Sequence, residues 1–314
     1  MRRGLSRPRF QRGRHLDAAG SRRAESDLCP PFSGACQRAL NIAKRLLPRL
    51  ILRLVPIWRA LRLGEHLLTG AALGAGVALL HRLDASTSWP SVLVTWWHRR
   101  LCRCLGLRVS CRGSAVTGAL VAANHVSWLD ISVLGGAAPM RFVSKAEVRH
   151  WPLVGWLAEL AGSLFLPRGA HRTASIAREI ALLLRAGERV AVFPEGTTGT
   201  GHTLLRFHAR LFAAVDASSI PVQPVAIHYG RGPEPDAVAP FVGDDTLIAH
   251  LGRILRHPHL SVTLTFLPPV LSPTGKRREL AEAMRAAIDD ELRRLRRGTD
   301  AATARANPPA AKAA

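Results

Sequence analysis

The sequence has few acidic residues and few aromatic ones. Its 314 residues include 22 Asp and Glu against 44 Lys and Arg, which gives a formal net charge of +22. A chain this basic should associate with phosphate, whether in nucleic acid, in an anionic membrane or on a substrate. One Tyr and nine Phe leave few platforms for stacking single-stranded nucleic acid, and no zinc-finger or RNP-like string occurs. We therefore predict no nucleic-acid partner, and the seven Trp favour a membrane interface instead.

Several sequence motifs that mark cysteine, serine or histidine residues of metal, redox or catalytic sites are also missing. The five Cys, at positions 29, 36, 102, 104 and 111, form no CxxC pair, which predicts reduced cytosolic thiols. The sequence contains no GxSxG string and no HExxH string. We predict no bound metal, and a metal-dependent hydrolase stays a remote alternative. A non-enzymatic basic membrane-binding protein is another, although much of the positive charge lies in the first 62 residues and the last predicted helix.

The N-terminal third is predicted to meet a membrane. Residues 1–38 carry many Arg among Gly, Ser and Pro, which predicts a disordered basic N-terminus without the apolar core of a secretory signal. Residues 39–105 predict amphipathic and hydrophobic membrane-docking helices, in which Pro48 and Pro56 should break or kink the first helix. Residues 63–80 are the candidate for a bilayer span, but they are short and include Glu65 and His66, so a half-buried helix fits better. An amphipathic helix packed in the core is the alternative.

Residues 106–298 alternate short apolar runs with helical stretches, which predicts a layered α/β domain. Strands are predicted at 107–111, 118–123, 141–144, 163–166, 189–193, 222–228 and 261–266. Helices are predicted at 127–134, 154–161, 172–186, 203–217 and 277–297. Ligands of such folds bind at strand ends, where the loops lie. Residues 299–314, rich in Ala, predict a disordered tail.

The pair His125 and Asp130 is the first candidate for a catalytic site. It follows the apolar run 118–123 in the string VAANHVSWLD. Residues five apart diverge on a helix and point to opposite faces on a strand, so the two side chains can meet only across a turn. With a strand ending near Ala123 and a helix containing Asp130, the carboxylate would hold one ring nitrogen while the other faces a substrate hydroxyl. A core histidine beside a helix-entry carboxylate is the alternative.

Three further strings follow predicted strands. In GSLFLPR, Arg168 could bind a phosphate in bidentate fashion. In FPEGTTGTG, the glycines would let the backbone approach a ligand, and Glu195 would either bind a polyol hydroxyl or brace the loop. The string IPVQPVAI, residues 220–227, carries two prolines that should confine it to an edge strand or a wall beside the site.

Together these strings resemble the glycerolipid acyltransferase family, which contains bacterial 1-acylglycerol-3-phosphate acyltransferases. The NHxxxxD block matches at Asn124, His125 and Asp130. The GxxFxxR block, the FPEGT block and a proline-bearing apolar strand follow in the family's order, and the likeness spans residues 101–269. Four ordered blocks are far more specific than any one of them. The resemblance implies a glycerolipid acyltransferase-like layered α/β domain with an N-terminal helical membrane-docking module.

The resemblance implies transfer of a fatty acyl group from acyl-CoA or acyl-carrier protein, as co-substrate rather than bound cofactor, to the free hydroxyl of a lysolipid. The expected acceptor is 1-acyl-sn-glycerol-3-phosphate, which would yield phosphatidic acid at the cytoplasmic face of the inner membrane. One departure affects this expectation. Many members carry Arg directly after EGT, where this chain has Thr198. A lyso-ornithine-lipid O-acyltransferase of the same family is therefore the alternative.

The same resemblance implies roles for individual residues. His125 would act as the general base, and Asp130 would fix its tautomer and offset the imidazolium charge. Nine residues would bind or shape the substrate site: Asn124, Lys145, Gly162, Phe165, Arg168, Glu195, Gly196, Thr197 and Arg206. Asn124 would support either the turn or the oxyanion.

Overall fold

The structure, a computed structural model, describes residues 34–82, 91–166, 170–215, 220–271 and 276–298. The chain divides into two compact units, Met1–Leu50 and Ile51–Ala314. In the first unit only the start of one helix is described, and the other described elements belong to the second. Residues 1–33 of the predicted basic N-terminus, and the predicted tail 299–314, lie outside the described residues.

Helices and strands alternate along the chain. The helices are α1 Gly34–Arg82, α2 Ser91–Cys104, α3 Leu129–Ala137, α4 Val154–Leu160, α5 Ala170–Arg185, α6 Leu247–Arg256 and α7 Arg277–Arg296. The strands are β1 Leu107–Arg112, β2 Leu120–Ala123, β3 Arg141–Lys145, β4 Leu164–Leu166, β5 Val190–Val192, β6 Pro221–Tyr229, β7 Leu260–Phe266 and β8 Val270–Leu271. Two 3₁₀ segments lie at Ala146–His150 and Ala209–Val215.

Every predicted strand is present, but one predicted helix is wrong and α6 was not predicted. Within 203–217 the described helical part is only the 3₁₀ segment Ala209–Val215. The backbone N–H of Leu205 donates to the Glu195 carboxylate at 2.9 Å, which holds the preceding residues in a loop instead of a helical turn. The signal for α6 is its cap, because the Thr246 hydroxyl accepts from the N–H of Ala249 at 3.3 Å.

The strands form one sheet in the order β1-β7-β6-β2-β5-β3-β4, with β8 also paired to β6. Strand β6 runs antiparallel to β7 and β8, and the other pairs among the described strands are parallel. Strand β2 lies in the middle of this order, between β6 and β5. Its carboxyl end is therefore the point at which a layered α/β fold places ligands.

Helices cover both faces of the sheet. On one face α2, α3 and α6 pack over a core that includes Val121 and Ala123 of β2. On the other face α5, α7 and the second 3₁₀ segment pack over Leu120 and Ala122. Because alternate residues of a strand point to opposite faces, β2 is buried on both sides and holds the loop that follows it in a fixed position.

The prediction that IPVQPVAI forms an edge strand is wrong, because β6 lies inside the sheet. The alternative, a wall beside the site, agrees with the pairing of β6 with β2. Pro224 pairs with Ala122 of β2 on one side, and its carbonyl accepts from Leu267 at 3.0 Å on the other. The N–H that proline lacks would point to that same second side, toward the carbonyl of Leu267. That carbonyl instead accepts from the side-chain amide of Gln223 at 3.0 Å, so the ladder bond lost at Pro224 leaves no unpaired acceptor.

Helix α1 is continuous through both prolines, so the predicted break is absent. A proline removes one helical hydrogen bond, and intact turns on either side preserve the helix. Within the second unit, the guanidinium of Arg59 on this helix donates to the carbonyls of Leu255, His257 and Pro258 at 3.3, 2.5 and 2.6 Å. Its segment Leu54–Leu80, of mean hydropathy 1.4, is long and apolar enough to cross a bilayer by those two criteria alone.

Candidate active site

The structure brings His125 and Asp130 together across the predicted turn. Strand β2 ends at Ala123, and Asp130 lies in the first turn of α3. The Nδ1 atom of His125 lies 2.8 Å from Oδ2 of Asp130. The two side chains thus form the hydrogen-bonded pair that the spacing predicts, at the carboxyl end of the central strand.

Asp130 is a buried carboxylate whose two oxygens are held by four donors. Oδ2 accepts from the N–H groups of Val126 and Ser127 at 2.7 and 2.9 Å, in addition to the His125 ring. Oδ1 accepts from the hydroxyl of Tyr229 at 2.6 Å. Its side chain is 0% exposed, so these bonds replace the water that burial removes. The bonds also curl the loop so that the carboxylate can orient the imidazole.

The imidazole of His125 is clamped on one side and open on another. Its ring stacks on Phe193 with centroids 4.0 Å apart and planes 15° apart. Because Nδ1–H donates to a carboxylate that already accepts from backbone N–H groups, the lone pair lies on Nε2. The side chain is 17% exposed. A basic nitrogen in a fixed ring with access from outside is the geometry of a general base.

Glu195 braces the loop beneath His125. One carboxylate oxygen accepts from the backbone N–H of His125 at 2.8 Å, and the other accepts from that of Leu205 at 2.9 Å. The side chain is buried, and this burial raises its pKa above the usual value. Of the two roles predicted for Glu195, the geometry favours bracing over contact with a polyol hydroxyl, because both oxygens already have donors.

The glycine-rich loop after β5 wraps around the same histidine. Gly196 has a φ of +71°, which favours glycine, and lets the chain turn directly after Glu195. The N–H of Gly199 donates to the carbonyl of His125 at 2.8 Å. The hydroxyl of Thr198 donates to the carbonyl of Phe241, so it is directed at the protein. Gly196 and Thr197 are exposed on the outer side of the loop, where a substrate could reach them.

Comparison with known proteins assigns this geometry to a family. A family model described as Acyltransferase matches residues 95–228. The chain is 45% identical over 239 residues to a lyso-ornithine lipid O-acyltransferase of Pseudomonas aeruginosa, covering 75% of this chain and 93% of that protein. The chain belongs to the acyltransferase family. It is also 34% identical over 181 residues to a 1-acyl-sn-glycerol-3-phosphate acyltransferase of Neisseria meningitidis, covering 55% of this chain and 71% of that protein.

The fold prediction is confirmed as well. The crystal structure of a 1-acyl-sn-glycerophosphate acyltransferase from Thermotoga maritima superimposes with a TM-score of 0.59 at 21% identity, covering 79% of this chain and 97% of that one. The acyltransferase therefore has the layered α/β fold that the motifs imply. The N-terminal helix described above is apolar enough to serve as the predicted docking element.

Of the two roles predicted for Asn124, support of the turn or of the oxyanion, its position in the acyltransferase favours the turn. Its side-chain amide donates to the carbonyl of Ile227 at 3.0 Å, and its oxygen accepts from the N–H of Ile227 at 2.8 Å. The residue is buried, so both ends of the amide are engaged away from any substrate. Asn124 extends the pairing of β2 with β6 past the end of the strand and fixes the start of the loop that carries His125.

The other predicted substrate residues divide into three groups. Gly162 and Phe165 lie beside arginine side chains of the protein. A Cβ at Gly162 would collide with the Arg141 guanidinium, and the ring centroid of Phe165 lies 6.0 Å from the guanidinium carbon of Arg149. Lys145, at the end of β3, and Arg206 are exposed cations, and their contact with substrate stays a prediction. Arg168 lies outside the described residues.

A series of hydrogen bonds behind the loop that carries His125 was not predicted. The indole N–H of Trp128 donates to Nδ1 of His250 at 2.9 Å, and Nε2 of the same ring lies 2.9 Å from the carbonyl of Val238. Burial holds the pKa of His250 below its usual value, so the ring is neutral and can accept on Nδ1. These hydrogen bonds connect the loop before α3 to α6. The sequence gave no signal for them, because His250 is an isolated histidine.

The next feature is the arrangement of side chains that could bind a metal ion. Within the ranges that the structure describes, no group of three or more His, Cys, Asp or Glu side chains is placed to hold a metal ion. The remote alternative of a metal-dependent hydrolase thus gains no support from the described part of the chain.

Tyr229 was not predicted either, although it is the only Tyr in the chain and lies two residues after the proline-bearing string 220–227. Burial, followed by the nearby charge of Asp130, raises its pKa well above the usual value, so the hydroxyl keeps its proton and remains a donor.

We expect Tyr229→Phe to lower kcat by about tenfold with an unchanged KM for both substrates, because one carboxylate oxygen loses its donor. Steady-state kinetics of the purified variant measure both constants.

Ser127→Ala is the matched control for Tyr229→Phe. Its hydroxyl is buried in the same loop and has no hydrogen-bond partner among the described residues. We expect the control to keep its kcat, since the backbone N–H that reaches Asp130 is retained. Equal losses in both variants would show that Tyr229 acts only through the packing of the loop.

Proposed function

We propose that this acyltransferase moves a fatty acyl group from a thioester donor to the free hydroxyl of lyso-ornithine lipid. The observation that carries the chemistry is the His125–Asp130 pair, in which the carboxylate holds Nδ1 and the imidazole side chain stays 17% exposed. The relative from Pseudomonas aeruginosa, matched over 93% of its length, and a second lyso-ornithine lipid O-acyltransferase from Rhizobium meliloti, 38% identical over 239 residues, support the acceptor.

The residue after EGT also supports a lyso-ornithine acceptor. Many members of the family carry Arg there, whereas this chain has Thr198, whose hydroxyl is bonded to the carbonyl of Phe241. The position thus offers no cation to a substrate. A lyso-ornithine lipid has a carboxylate and an ammonium group in its head but no phosphate, so it does not require that cation.

The proposed reaction is a direct transfer without an acyl-enzyme. Nε2 of His125 removes the proton from the acceptor hydroxyl as the oxygen attacks the thioester carbonyl. The new C–O ester bond forms, the C–S bond breaks, and protonated His125 returns the proton to the leaving thiolate. Asp130, held by its own donors, stabilises the imidazolium while it exists. Acyl-CoA or acyl-carrier protein would enter as co-substrate, and no bound cofactor is needed.

The acceptor and the product are lipids, and the protein surface is consistent with contact at a leaflet. Large apolar side chains are exposed on α1, on α2 and around α4, where tryptophan rings are common. They include Leu54, Ile57, Trp58, Leu61, Leu68, Val92, Trp96, Trp151, Val154 and Trp156. Basic residues on α1 such as Arg62 would add attraction to anionic headgroups. We place the enzyme at the cytoplasmic face of the inner membrane.

An acceptor panel tests the proposal. Purified full-length enzyme would receive lyso-ornithine lipid, lysophosphatidic acid and a lysophosphatidylcholine in mixed vesicles, with acyl-CoA and acyl-carrier protein as alternative donors. We expect kcat/KM for lyso-ornithine lipid to exceed the others by about tenfold or more, because a site without the phosphate-binding cation stabilises the phosphate head poorly.

Lysophosphatidic acid is the second candidate acceptor, favoured by the named relative from Neisseria meningitidis. A preference for it in the panel would reject the ornithine proposal and would make Lys145, Arg168 and Arg206 the cations to test next.

A further inference from the structure

Helix α6 carries a buried histidine that the proposed mechanism does not use. His250 is 0% exposed, and both of its ring nitrogens have hydrogen-bond partners. Nδ1 accepts from the indole N–H of Trp128 at 2.9 Å, and Nε2 lies 2.9 Å from the carbonyl of Val238. An indole can only donate, so Nδ1 carries the lone pair and Nε2 carries the proton. The neutral ring therefore joins two segments of the chain, one through its acceptor and one through its donor.

The segment between β6 and α6 meets His250 a second time through Phe241. The Phe241 ring packs against the imidazole with centroids 5.4 Å apart and planes 56° apart. Its backbone N–H donates to the carbonyl of Val126 at 3.0 Å, in the loop between β2 and α3. Its carbonyl accepts from the hydroxyl of Thr198, in the glycine-rich loop. Phe241 thus connects His250 to both of the loops that surround His125.

These contacts hold the loop between β2 and α3 at two points. Val126 is bonded through its carbonyl, and Trp128 is bonded through its indole. The N–H of Val126 also donates to Oδ2 of Asp130 at 2.7 Å, the same oxygen that lies 2.8 Å from Nδ1 of His125. A displacement of the loop would therefore move a donor of the carboxylate and misalign the imidazole that the carboxylate holds.

We propose that His250 is a positioning residue for acyl transfer: its ring, bonded to Trp128 and packed on Phe241, keeps the loop where Asp130 orients His125. The inference rests on the proposed function, because it requires His125 to be the base. A displacement of about 1 Å at a reacting group can cost up to about 10²-fold in rate, even when its cause lies away from the chemistry. Loss of the acceptor on His250 should therefore lower kcat and leave KM unchanged.

His250→Gln and His250→Asn form a matched pair that separates the two hydrogen bonds of the ring. The Asn side chain can place its oxygen near the position of Nδ1 and accept from Trp128, whereas the longer Gln side chain reaches the position of Nε2 and donates to Val238. We expect His250→Gln to lower kcat about tenfold and His250→Asn to retain it within about threefold, with KM unchanged for both substrates. Steady-state kinetics of the full-length enzyme, with whichever lysolipid the wild type acylates, measure both constants.

Thermal unfolding of the two variants distinguishes positioning from a general loss of packing. Each variant loses one buried hydrogen bond and the same ring contacts, so both should unfold at similarly lowered temperatures. A difference in kcat between variants of similar stability then reports the position of the catalytic pair. NMR of the indole N–H groups reports the bond itself, since the Trp128 signal should keep its position in His250→Asn and move in His250→Gln.

Trp128→Phe removes the same hydrogen bond from the donor side and assigns the Trp128 signal. We expect it to lower kcat about tenfold, and the double variant with His250→Gln should lose no more than either single variant, because the bond is already absent. His259→Gln is the matched control, since it makes the same exchange at a half-buried histidine directly before β7, and it should retain its kcat.

Two results would overturn the proposal. One is a wild-type kcat in His250→Gln although the Trp128 signal has moved, and the other is additive losses of kcat in the double variant. Failure of the proposed function gives a different result, because it predicts an active His125→Asn variant. An active His250→Gln enzyme beside an inactive His125→Asn enzyme rejects the positioning role alone.

Discussion

Replacing His125 with Ala is expected to lower kcat by about 10²- to 10⁴-fold, because the variant has no base for the acceptor hydroxyl. The exchange also removes the stack on Phe193 and one of the four donors to Asp130. His125→Asn separates these effects, since its amide N–H₂ can replace Nδ1–H as a donor while supplying no basic nitrogen. We expect both variants to be equally inactive, with the Asn variant the more stable. Release of free thiol from acyl-CoA measures turnover, and thermal unfolding measures stability.

Binding to anionic vesicles should be unaffected in both His125 variants, since the exposed apolar residues of α1 and α2 lie elsewhere in the chain. His150→Ala is the matched control, because that histidine is exposed and lies outside the four motif blocks. Turnover at the wild-type rate in His125→Asn would reject the base assignment. Loss of vesicle binding together with turnover would show that the substitution disturbs the docking surface.

The sequence predicts those parts of the site that depend only on residues close together along the chain. The spacing of His125 and Asp130, a strand ending at Ala123 and a helix containing Asp130 all follow from one short stretch, and the structure contains each of them. What the stretch could not predict are the groups that come from far along the chain. Tyr229 reaches Asp130 only because β6 lies beside β2, and pairings between distant strands leave no local periodicity.

Chemically versatile residues were the least predictable part of the site. Asn124 and Glu195 carry groups that suit substrate binding or structural bracing equally well, and the choice depends on which backbone N–H and C=O groups lie within reach. Both residues are buried and bonded to backbone, Asn124 on Ile227 and Glu195 on His125 and Leu205. Pro224 is a similar case in the sheet, because the carbonyl of Leu267, which its missing N–H would have met, accepts from the Gln223 side chain instead.

Asp130→Asn is expected to lower kcat by about 10²-fold or more with little change in geometry, because it removes a charge rather than a shape. Three donors converge on Oδ2, so the Asn oxygen should occupy that position and its amide nitrogen should face Tyr229. The Tyr229 hydroxyl can then turn and accept. The imidazolium that forms during transfer would have no buried negative charge beside it. Asp244→Asn, at an exposed position, is the matched control and should retain its kcat.

The combination of Asp130→Asn with Tyr229→Phe distinguishes loss of charge from loss of position. In the double variant the Asn amide would face a phenyl ring, which leaves a buried N–H₂ without an acceptor and costs about 1–3 kcal/mol of unfolding free energy beyond the sum of the single variants. The loss of kcat in the double variant should be much smaller than the sum of the two single losses, since the Tyr229 hydroxyl stabilises a carboxylate that is no longer there. Unfolding by urea and steady-state kinetics on the four proteins measure both couplings. Additive losses of kcat would mean that Tyr229 contributes to turnover by a route other than Asp130, and the hydrogen bond between them would then be only structural.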